Sequence, residues 1–311
     1  MNADHSDAPR VVALAGGVGG ARLVDGLDQV LSRDALTIVV NTGDDFLHWG
    51  LHISPDLDTV MYTLAGLAPE ERGWGIEGDT FRVLEEAERR GADTWFRLGD
   101  RDLMTHLLRS SALADGDSLT KLTAKLCREL EVARPILPMS DSPCPTTIVT
   151  RSGDEMAFQD WLARARAAPE VQRVEHREAA QPTAQVIEAL RSADLVVICP
   201  SNPYVSIGPI LFLEGVRGIL REKPTVGVSP ILGGRAVKGP LSSMIAQLDG
   251  KPASAQQVAA HYEDFLDGFV VQTGDAFSTP FPVLETNILI QTREDRVGLA
   301  RALLDFARSL R

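Results

Sequence analysis

The sequence predicts an α/β fold, a Rossmann-like, mainly parallel sheet flanked by helices and interrupted by a helical insertion. Three observations carry that prediction. A wholly apolar run, Val11–Ala15, stops abruptly at Gly16-Gly17-Val18-Gly19-Gly20. Ala21–Leu31 then places Leu23, Leu27 and Val30 at helical spacing before a second apolar run, Leu36–Val40. Further short apolar runs follow at Leu195–Cys199, Pro224–Val228 and Gly268–Val271. Strands buried on both faces read as continuous apolar runs, and strand, glycine turn, helix, strand is the order of a right-handed crossover in a parallel sheet.

Taken in order, residues 1–9 form a polar, acidic tail that reads as flexible, and residues 10–311 read as a single α/β domain. From Leu57 to Leu137 apolar residues recur at three and four, with charges between them. Residues 58–137 are therefore predicted to be a helical insertion, with helices over Asp58–Ala65, Asp79–Arg90, Arg101–Ser110 and Ser118–Leu130. Pro135 and Pro138 close it, and Thr146–Thr150 resumes with a β-branched strand. Val171–Val174 reads as an edge strand and Pro182–Arg191 as a helix with proline in its first turn. Leu241–Leu248, Ala255–Leu266 and Val297–Leu310 read as helices. No internal repeat or low-complexity linker divides the chain.

Composition narrows the function. With 44% hydrophobic and 24% charged residues the chain is an ordinary globular sequence. No apolar run approaches the ~18 residues a membrane helix needs. The first ten residues lack the basic start and apolar stretch of a secretory signal, so the expectation is a cytoplasmic protein without a membrane. A net charge of −12 argues against nucleic acid, whose phosphates need a dense basic face. Cys127, Cys144 and Cys199 are odd in number and lack CxxC spacing, which suggests neither a disulfide framework nor a zinc site. Lysine occurs only at positions 121, 125, 223, 238 and 251, so Lys238 in its glycine-rich stretch stands out.

The five predicted core strands lead into GGVGGAR, NTGDD, PSNP, SPILGGRAVKGP and QTGDA. Turn chemistry alone would explain any one of them. In a parallel sheet, however, these loops converge on one crevice at the carboxyl ends of the strands, the usual ligand site of open α/β sheets. The glycine loop lets backbone N–H groups approach a phosphate at a helix N-terminus. It lacks the third glycine of the dinucleotide fingerprint, a position held by Arg22, and the Gly-Lys-Ser/Thr of a Walker A loop. Together with the paired aspartates, this argues against an NAD-dependent oxidoreductase. Arg22 has two open readings, phosphate neutralisation or a surface salt bridge.

Asp44, Asp45, Asp56 and Asp58 place four carboxylates within fifteen positions. Carboxylates without cysteine suit a hard cation such as Mg²⁺, which binds through one or two carboxylates together with phosphates and water. The same residues are good turn and cap residues. His48 and His52 read as hydrogen-bonding surface residues. Pro200–Pro203 and Ser206–Pro209 combine rigid backbone with donors and acceptors suited to a base or sugar edge. Arg235 and Lys238 are either phosphate contacts or solvated surface cations. Asp100-Arg101-Asp102 with His106 reads as a capped helix start with a structural charge pair.

Beyond these local readings, the order AGGVGGARLVDGL, VVNTGDD, GLHISPDLDTVMYTLAG, GWGIEGDTF, WFRLGDRDLMTHLLRS, LPMSD, FQDW, PSNPYVSIGPIL, VSPILGGRAVKGP and DFLDGFV resembles the CofD family over nearly the whole chain. The resemblance implies a transferase of coenzyme F420 biosynthesis. Such an enzyme moves a phospholactyl, phosphoenolpyruvyl or phosphoglyceryl group from a guanosine-diphosphate-activated donor to the ribityl hydroxyl of the deazaflavin Fo, releasing GMP. It also implies Mg²⁺ as cofactor, a homodimer, and an insertion that forms part of the substrate pocket. Carried onto this chain, Asp45 and Asp58 are the implied catalytic and metal residues. Gly16, Gly17, Gly19, Gly20, Arg22, Asn41, Ser201, Asn202, Pro203, Ser229, Pro230, Gly233 and Gly234 are the implied nucleotide contacts. Phe81, where tryptophan is common, and the proline-rich Ser142–Thr146 depart from the family pattern. The competing reading is a non-catalytic, nucleotide-sugar-binding metabolic regulator of the same fold; the PDLDT motif and the helical block argue against it.

Overall fold

The computed structural model describes residues 9–176 and 180–310, so nearly all of the predicted 1–9 tail lies outside the described residues. In chain order the first elements are β1 (Val11–Ala15), α1 (Gly17–Val30), β2 (Leu36–Val40), the hairpin β3 (Phe46–His48) and β4 (Leu51–Ile53), and α2 (Pro55–Leu64). The insertion continues with α3 (Arg82–Arg89), α4 (Asp100–Ala114) and α5 (Leu119–Glu129). Then come β5 (Ile136–Pro138), β6 (Thr146–Thr150), β7 (Glu155–Ala157), β8 (Val171–His176), α6 (Ala184–Ser192) and β9 (Leu195–Ile198). The remainder is α7 (Gly208–Phe212), α8 (Val216–Leu220), β10 (Thr225–Val228), the small ribbon β11 (Ile231–Leu232) and β12 (Arg235–Ala236), α9 (Leu241–Leu248), α10 (Ala255–Ala260), β13 (Gly268–Gln272), β14 (Val283–Thr286) and α11 (Arg293–Ser309).

Seven strands form one sheet in the order β14-β13-β10-β9-β1-β2-β5, and every pairing is parallel. Inside the sheet, β1 divides its side chains by alternation. Val11, Ala13 and Ala15 join Leu23 and Leu27 of α1 and Leu299 and Leu303 of α11 in one core layer. Val12 and Leu14 join Val186 and Leu190 of α6 and Ile245 of α9 in the other. Both faces are thus covered, as a parallel sheet requires. Packing is close enough between α1 and α11 that a Cβ on Gly26 would sit 2.2 Å from the Arg296 carbonyl oxygen.

The predicted Rossmann-like architecture is present, and the five predicted core strands are adjacent in it. Two strands escaped the sequence reading because they lie at the sheet's edges. β5 is bracketed by Pro135 and Pro138, which an edge strand tolerates because one side of it makes no ladder. β14 is largely polar and pairs only with β13. Thr146–Thr150 and the strand from Val171 belong instead to a separate antiparallel sheet, β7-β6-β8, packed over Trp161, Phe158 and Met244.

Helix boundaries differ for local reasons. The glycine stretch is not a loop: α1 begins at Gly17, leaving Gly16 alone between strand and helix. Asp79, expected to open a helix, instead accepts hydrogen bonds from the Arg101 and Asp102 amides and caps α4. Asp100 returns the favour by accepting from the Arg82 and Val83 amides at the start of α3. α11 starts earlier than its periodicity suggests because Thr292 and Asp295 form a reciprocal capping box. Among the described residues, no helix is long and apolar enough to cross a membrane.

From β1 the chain builds β2 and β5 on one side, then crosses to β9, β10, β13 and β14 on the other. The strand order therefore reverses between β1 and β9, the switch point at whose carboxyl-end edge open α/β sheets hold their ligands.

Candidate active site

One flank of the crevice is built by the residues that follow β1 and β9. A Cβ on Gly16 would lie 2.5 Å from Asp56 Oδ2, one on Gly19 2.4 Å from the Pro200 carbonyl oxygen, and one on Gly20 2.6 Å from Ser201 Oγ. These glycines are therefore needed first of all because the chain's own loops press against them. Ser201 Oγ receives the Gly16 N–H at 3.2 Å and donates to the Gly16 carbonyl at 2.8 Å, locking the two turns together. Asn202 Oδ1 accepts from the Tyr204 amide, and the buried Pro203 begins the short turn of helix that follows. Among the described residues Asn202 Nδ2 meets only the Met244 sulfur, at 3.4 Å, a weak acceptor that leaves this amide available to a ligand.

Ser229 Oγ closes the turn after β10 by accepting from the Ile231 amide, while Pro230 separates the two residues. Gly233 and Gly234 both have positive φ, 53° and 78°, and the Gly233 amide is held by Asp275. The Arg22 guanidinium donates to the carbonyls of Ile290 and Glu70 rather than forming a surface salt bridge. Lys238 likewise donates to the carbonyls of Glu71 and Arg72. Burial, then the neighbouring Arg22, lowers the Lys238 pKa. Both cations thus pin the irregular segment after α2.

The other flank carries the aspartates. Asn41, at the end of β2, is wholly buried, and its Nδ2 donates to Asp44 Oδ1 at 2.8 Å and to Asp56 Oδ2 at 2.9 Å. Its Oδ1 accepts from the Gly43 amide, so Asn41, not Asp44, makes the turn. Gln159 reaches across from the segment after β7 to donate to Asp44 Oδ2 at 3.0 Å. Asp56 Oδ1 takes the first amide of α1, that of Gly17, at 2.7 Å. Burial above all, then the Asp56 and Asp45 charges, holds Asp44 well above the usual carboxylate range. Burial pushes Asp56 up to about 6 against the hydrogen bonds from Asn41 and Gly17.

Asp45 Oδ2 is held by His52 Nε2 at 3.0 Å and by the Ser54 hydroxyl at 2.7 Å. Its other oxygen, Oδ1, is buried and has no hydrogen-bond partner among the described residues. Burial raises the Asp45 pKa as well. His52 reaches Asp45 because β3 and β4 form a hairpin directly after the aspartate pair. Asp58, in the first turn of α2, is grasped by Arg109 of α4, with Nη1 on Oδ2 at 3.0 Å and Nη2 on Oδ1. His106 Nδ1 lies 3.2 Å from Arg109 Nη1 and His106 Nε2 3.3 Å from Asp102 Oδ1. The Tyr62 hydroxyl donates to Asp102 at 2.9 Å.

Asp58, Asp102 and His106 have ligand-type atoms within 4.8 Å of one another. Hydrogen-bond logic disfavours a metal on that trio. Arg109 only donates, so His106 Nδ1 is the acceptor and the ring proton sits on Nε2, facing Asp102, with no lone pair left for an ion. The Asp44, Asp45, Asp56 group fits a hard cation better: its burial leaves negative charge uncompensated and the Asp45 Oδ1 oxygen unpartnered. Asp58 can contribute only through lone pairs that Arg109 leaves free.

A cavity of about 540 Å³ lies elsewhere, at the amino ends of β9 and β10 beside Lys223, Asp264 and Asp267. Nothing the crevice loops contribute lines it.

A family model described as 2-phospho-L-lactate transferase CofD matches residues 11–291. The chain belongs to the CofD family. Among curated relatives, a phosphoenolpyruvate transferase of Streptomyces griseus is 43% identical over 276 residues, covering 86% of each chain. A 2-phospho-L-lactate transferase of Methanosarcina mazei is 42% identical over 267 residues, covering 85% of this chain and 88% of the relative. A phosphoenolpyruvate transferase of Thermobifida fusca is 39% identical over 319 residues, covering 97% and 99%. The fold is shared with a crystal structure of a UPF0052 family protein from Bacillus halodurans, at TM-score 0.67 and 17% identity over 96% of this chain and 99% of that one. As a CofD family member the chain is a phospho-acid transferase.

The sequence reading of this CofD family chain named Asp45, Asp58 and Asn41 and took His52 as a hydrogen-bonding surface residue, but gave no role to Gln159 or Arg109. Gln159 and Arg109 meet their aspartates across 115 and 51 residues. Their only sequence signal was membership of the FQDW and WFRLGDRDLMTHLLRS stretches.

Proposed function

We propose that the protein transfers a phospho-three-carbon-acid group from a guanosine-diphosphate-activated donor to the terminal ribityl hydroxyl of Fo, completing the glutamate-free form of coenzyme F420. The hydroxyl oxygen forms the new bond to the phosphorus that carries the acid, and GMP leaves with the electrons of the broken P–O bond. Such displacements depend on positioning and charge neutralisation more than on covalent chemistry from the protein. The observation that carries the reading is the buried carboxylate cluster at the switch point: it meets the glycine-rich start of α1, and its Asp45 Oδ1 lacks a partner among the described residues, in a chain that belongs to a phospho-acid transferase family.

In this reading Gly16, Gly17, Gly19 and Gly20 present the start of α1 to the diphosphate. The Asn202 amide reads the nucleoside, and Pro203, Ser201, Ser229 and Pro230 hold the walls. The amide of Gly234, with the Gly233 amide and the Arg22 guanidinium once these are released from Asp275 and from the Ile290 and Glu70 carbonyls, adds contacts to phosphate. Asn41 holds the Asp44–Asp56 pair in place, and Asp45 with Asp58 holds Mg²⁺. When bound, the ion would neutralise charge on the diphosphate and its leaving group. Asp45 is the better placed of the two to take the hydroxyl proton, because burial raises its pKa while Asp58 is paired with Arg109. The reading includes a homodimer.

Incubating the protein with Fo, Mg²⁺ and the guanylylated forms of phospholactate, phosphoenolpyruvate and phosphoglycerate, followed by mass detection of product and GMP, tests the reading and chooses the acid. Turnover of one acid with stoichiometric GMP is expected. No turnover of any, with tight binding of a nucleotide sugar, would hand the case to the regulator reading.

A further inference from the structure

Arg109 is the one group on the insertion that grips a crevice aspartate in the hydrogen bonds described. Its side chain is 1% exposed and fully charged, and it holds both oxygens of Asp58, itself 7% exposed. It also sits in the field of Asp45, whose carboxylate it favours. His106 Nδ1 accepts from Nη1, so the ring backs the guanidinium, and Asp102, itself held by the Tyr62 hydroxyl, lies 3.3 Å from His106 Nε2 without a hydrogen bond to it. Arg109 Nε is buried without a hydrogen-bond partner among the described residues, as is Asp45 Oδ1. A buried charge with an unmet donor is costly where packing alone would serve, so a structural tie is a poor explanation of an arginine here.

We infer that Arg109, oriented by His106, is a positioning residue of the transfer reaction: it fixes the Asp58 carboxylate toward the crevice and tempers the negative charge that Asp45 and Asp58 present to a cation. The inference rests on the proposed function for its kinetic part only. It assigns the helical insertion a direct part in the site, since α4 carries both Arg109 and His106 while Asp58 opens α2. Lysine keeps the charge but cannot hold two oxygens at once, so R109K isolates geometry from charge.

The test measures Mn²⁺ binding by electron paramagnetic resonance together with kcat and KM, on folded protein verified by its melting curve. R109K should weaken Mn²⁺ about tenfold and lower kcat about tenfold, with donor KM within about threefold, the pattern of a group that acts on the transition state. H106N should shift both in the same direction by less. In a D58N background R109K should add less than about twofold, because residues acting through one another are not additive. A folded R109K or H106N with Mn²⁺ affinity and kcat unchanged overturns the inference, as does an R109K effect that multiplies with that of D58N. If R109K fails to fold, H106N alone decides. If the wild type turns over no acid while Mn²⁺ affinity still moves as expected, the proposed function fails and the clamp stands.

Discussion

The two flanks of the crevice are opposites. On the glycine-rich flank the polar side chains, the Asn202 amide apart, spend themselves on the chain: Ser201 on Gly16, Ser229 on the Ile231 turn, Arg22 and Lys238 on backbone carbonyls. Glycines there let loops approach within contact distance, so the surface is rigid and shaped before any ligand arrives. On the aspartate flank, burial has been imposed on charges that the chain leaves uncompensated. Asp44 and Asp56 share one Asn41 amide, and Asp45 keeps a buried oxygen with no partner. One flank is finished by the polypeptide; the other, in the proposed reading, is finished by a cation.

The largest expected effect lies on the unfinished flank. Asp45→Asn keeps volume and the His52 and Ser54 neighbours but removes the charge, so turnover should fall at least about 100-fold, or about 3 kcal/mol, while the melting curve stays cooperative. An Asp45→Asn protein with wild-type turnover breaks the contrast. On the finished flank the cost should appear in folding instead. Gly19→Ala drives a Cβ against the Pro200 carbonyl, a backbone atom that cannot swing away. A loss of about 2 kcal/mol is expected from such overpacking, read by denaturant unfolding. An unaffected midpoint would show the two loops to be less tightly set.

A pH series sharpens the contrast further. Burial raises Asp56 to about 6 in the folded protein and raises Asp44 as well, both above the unfolded carboxylate value of about 4. A raised carboxylate contributes stability in full below the unfolded value and loses it as pH rises through the folded one. Without metal, the aspartate flank should therefore weaken the protein between pH 4 and the folded values. Cation binding requires the ionised form, so Mg²⁺ should raise the melting temperature more at pH 7.5 than at pH 5. An equal rise at both pH values would contradict the assignment. The smallest effect belongs to Ser201→Ala, which removes the link to Gly16; about 1 kcal/mol of stability should go, with any change in turnover following from that loss.

The legibility of the molecule in its sequence follows the same division. The buried strands β1, β2, β9, β10 and β13 were readable because strands covered on both faces must be apolar throughout, and their order placed their loops on one edge. β5 and β14 were not, since edge strands carry proline and polar residues without penalty. Asp45, Asp58 and Asn41 were readable from local density of carboxylates and from family resemblance. Arg109 and Gln159 were not, because nothing local marks them as partners of aspartates 51 and 115 residues away. The glycine stretch was readable as important but for a partial reason: its glycines answer to Pro200, Ser201 and Asp56 before they answer to any phosphate.

The central claim is that a divalent cation completes the aspartate flank through Asp45. Calorimetric titration of Mg²⁺ into the wild type and the Asp45→Asn protein, each saturated with GDP at pH 7.5, tests it most directly. The account predicts stoichiometric binding to the wild type and binding at least about 100-fold weaker to the variant. Equal Mg²⁺ affinity in the two proteins, or no binding to either, would contradict it.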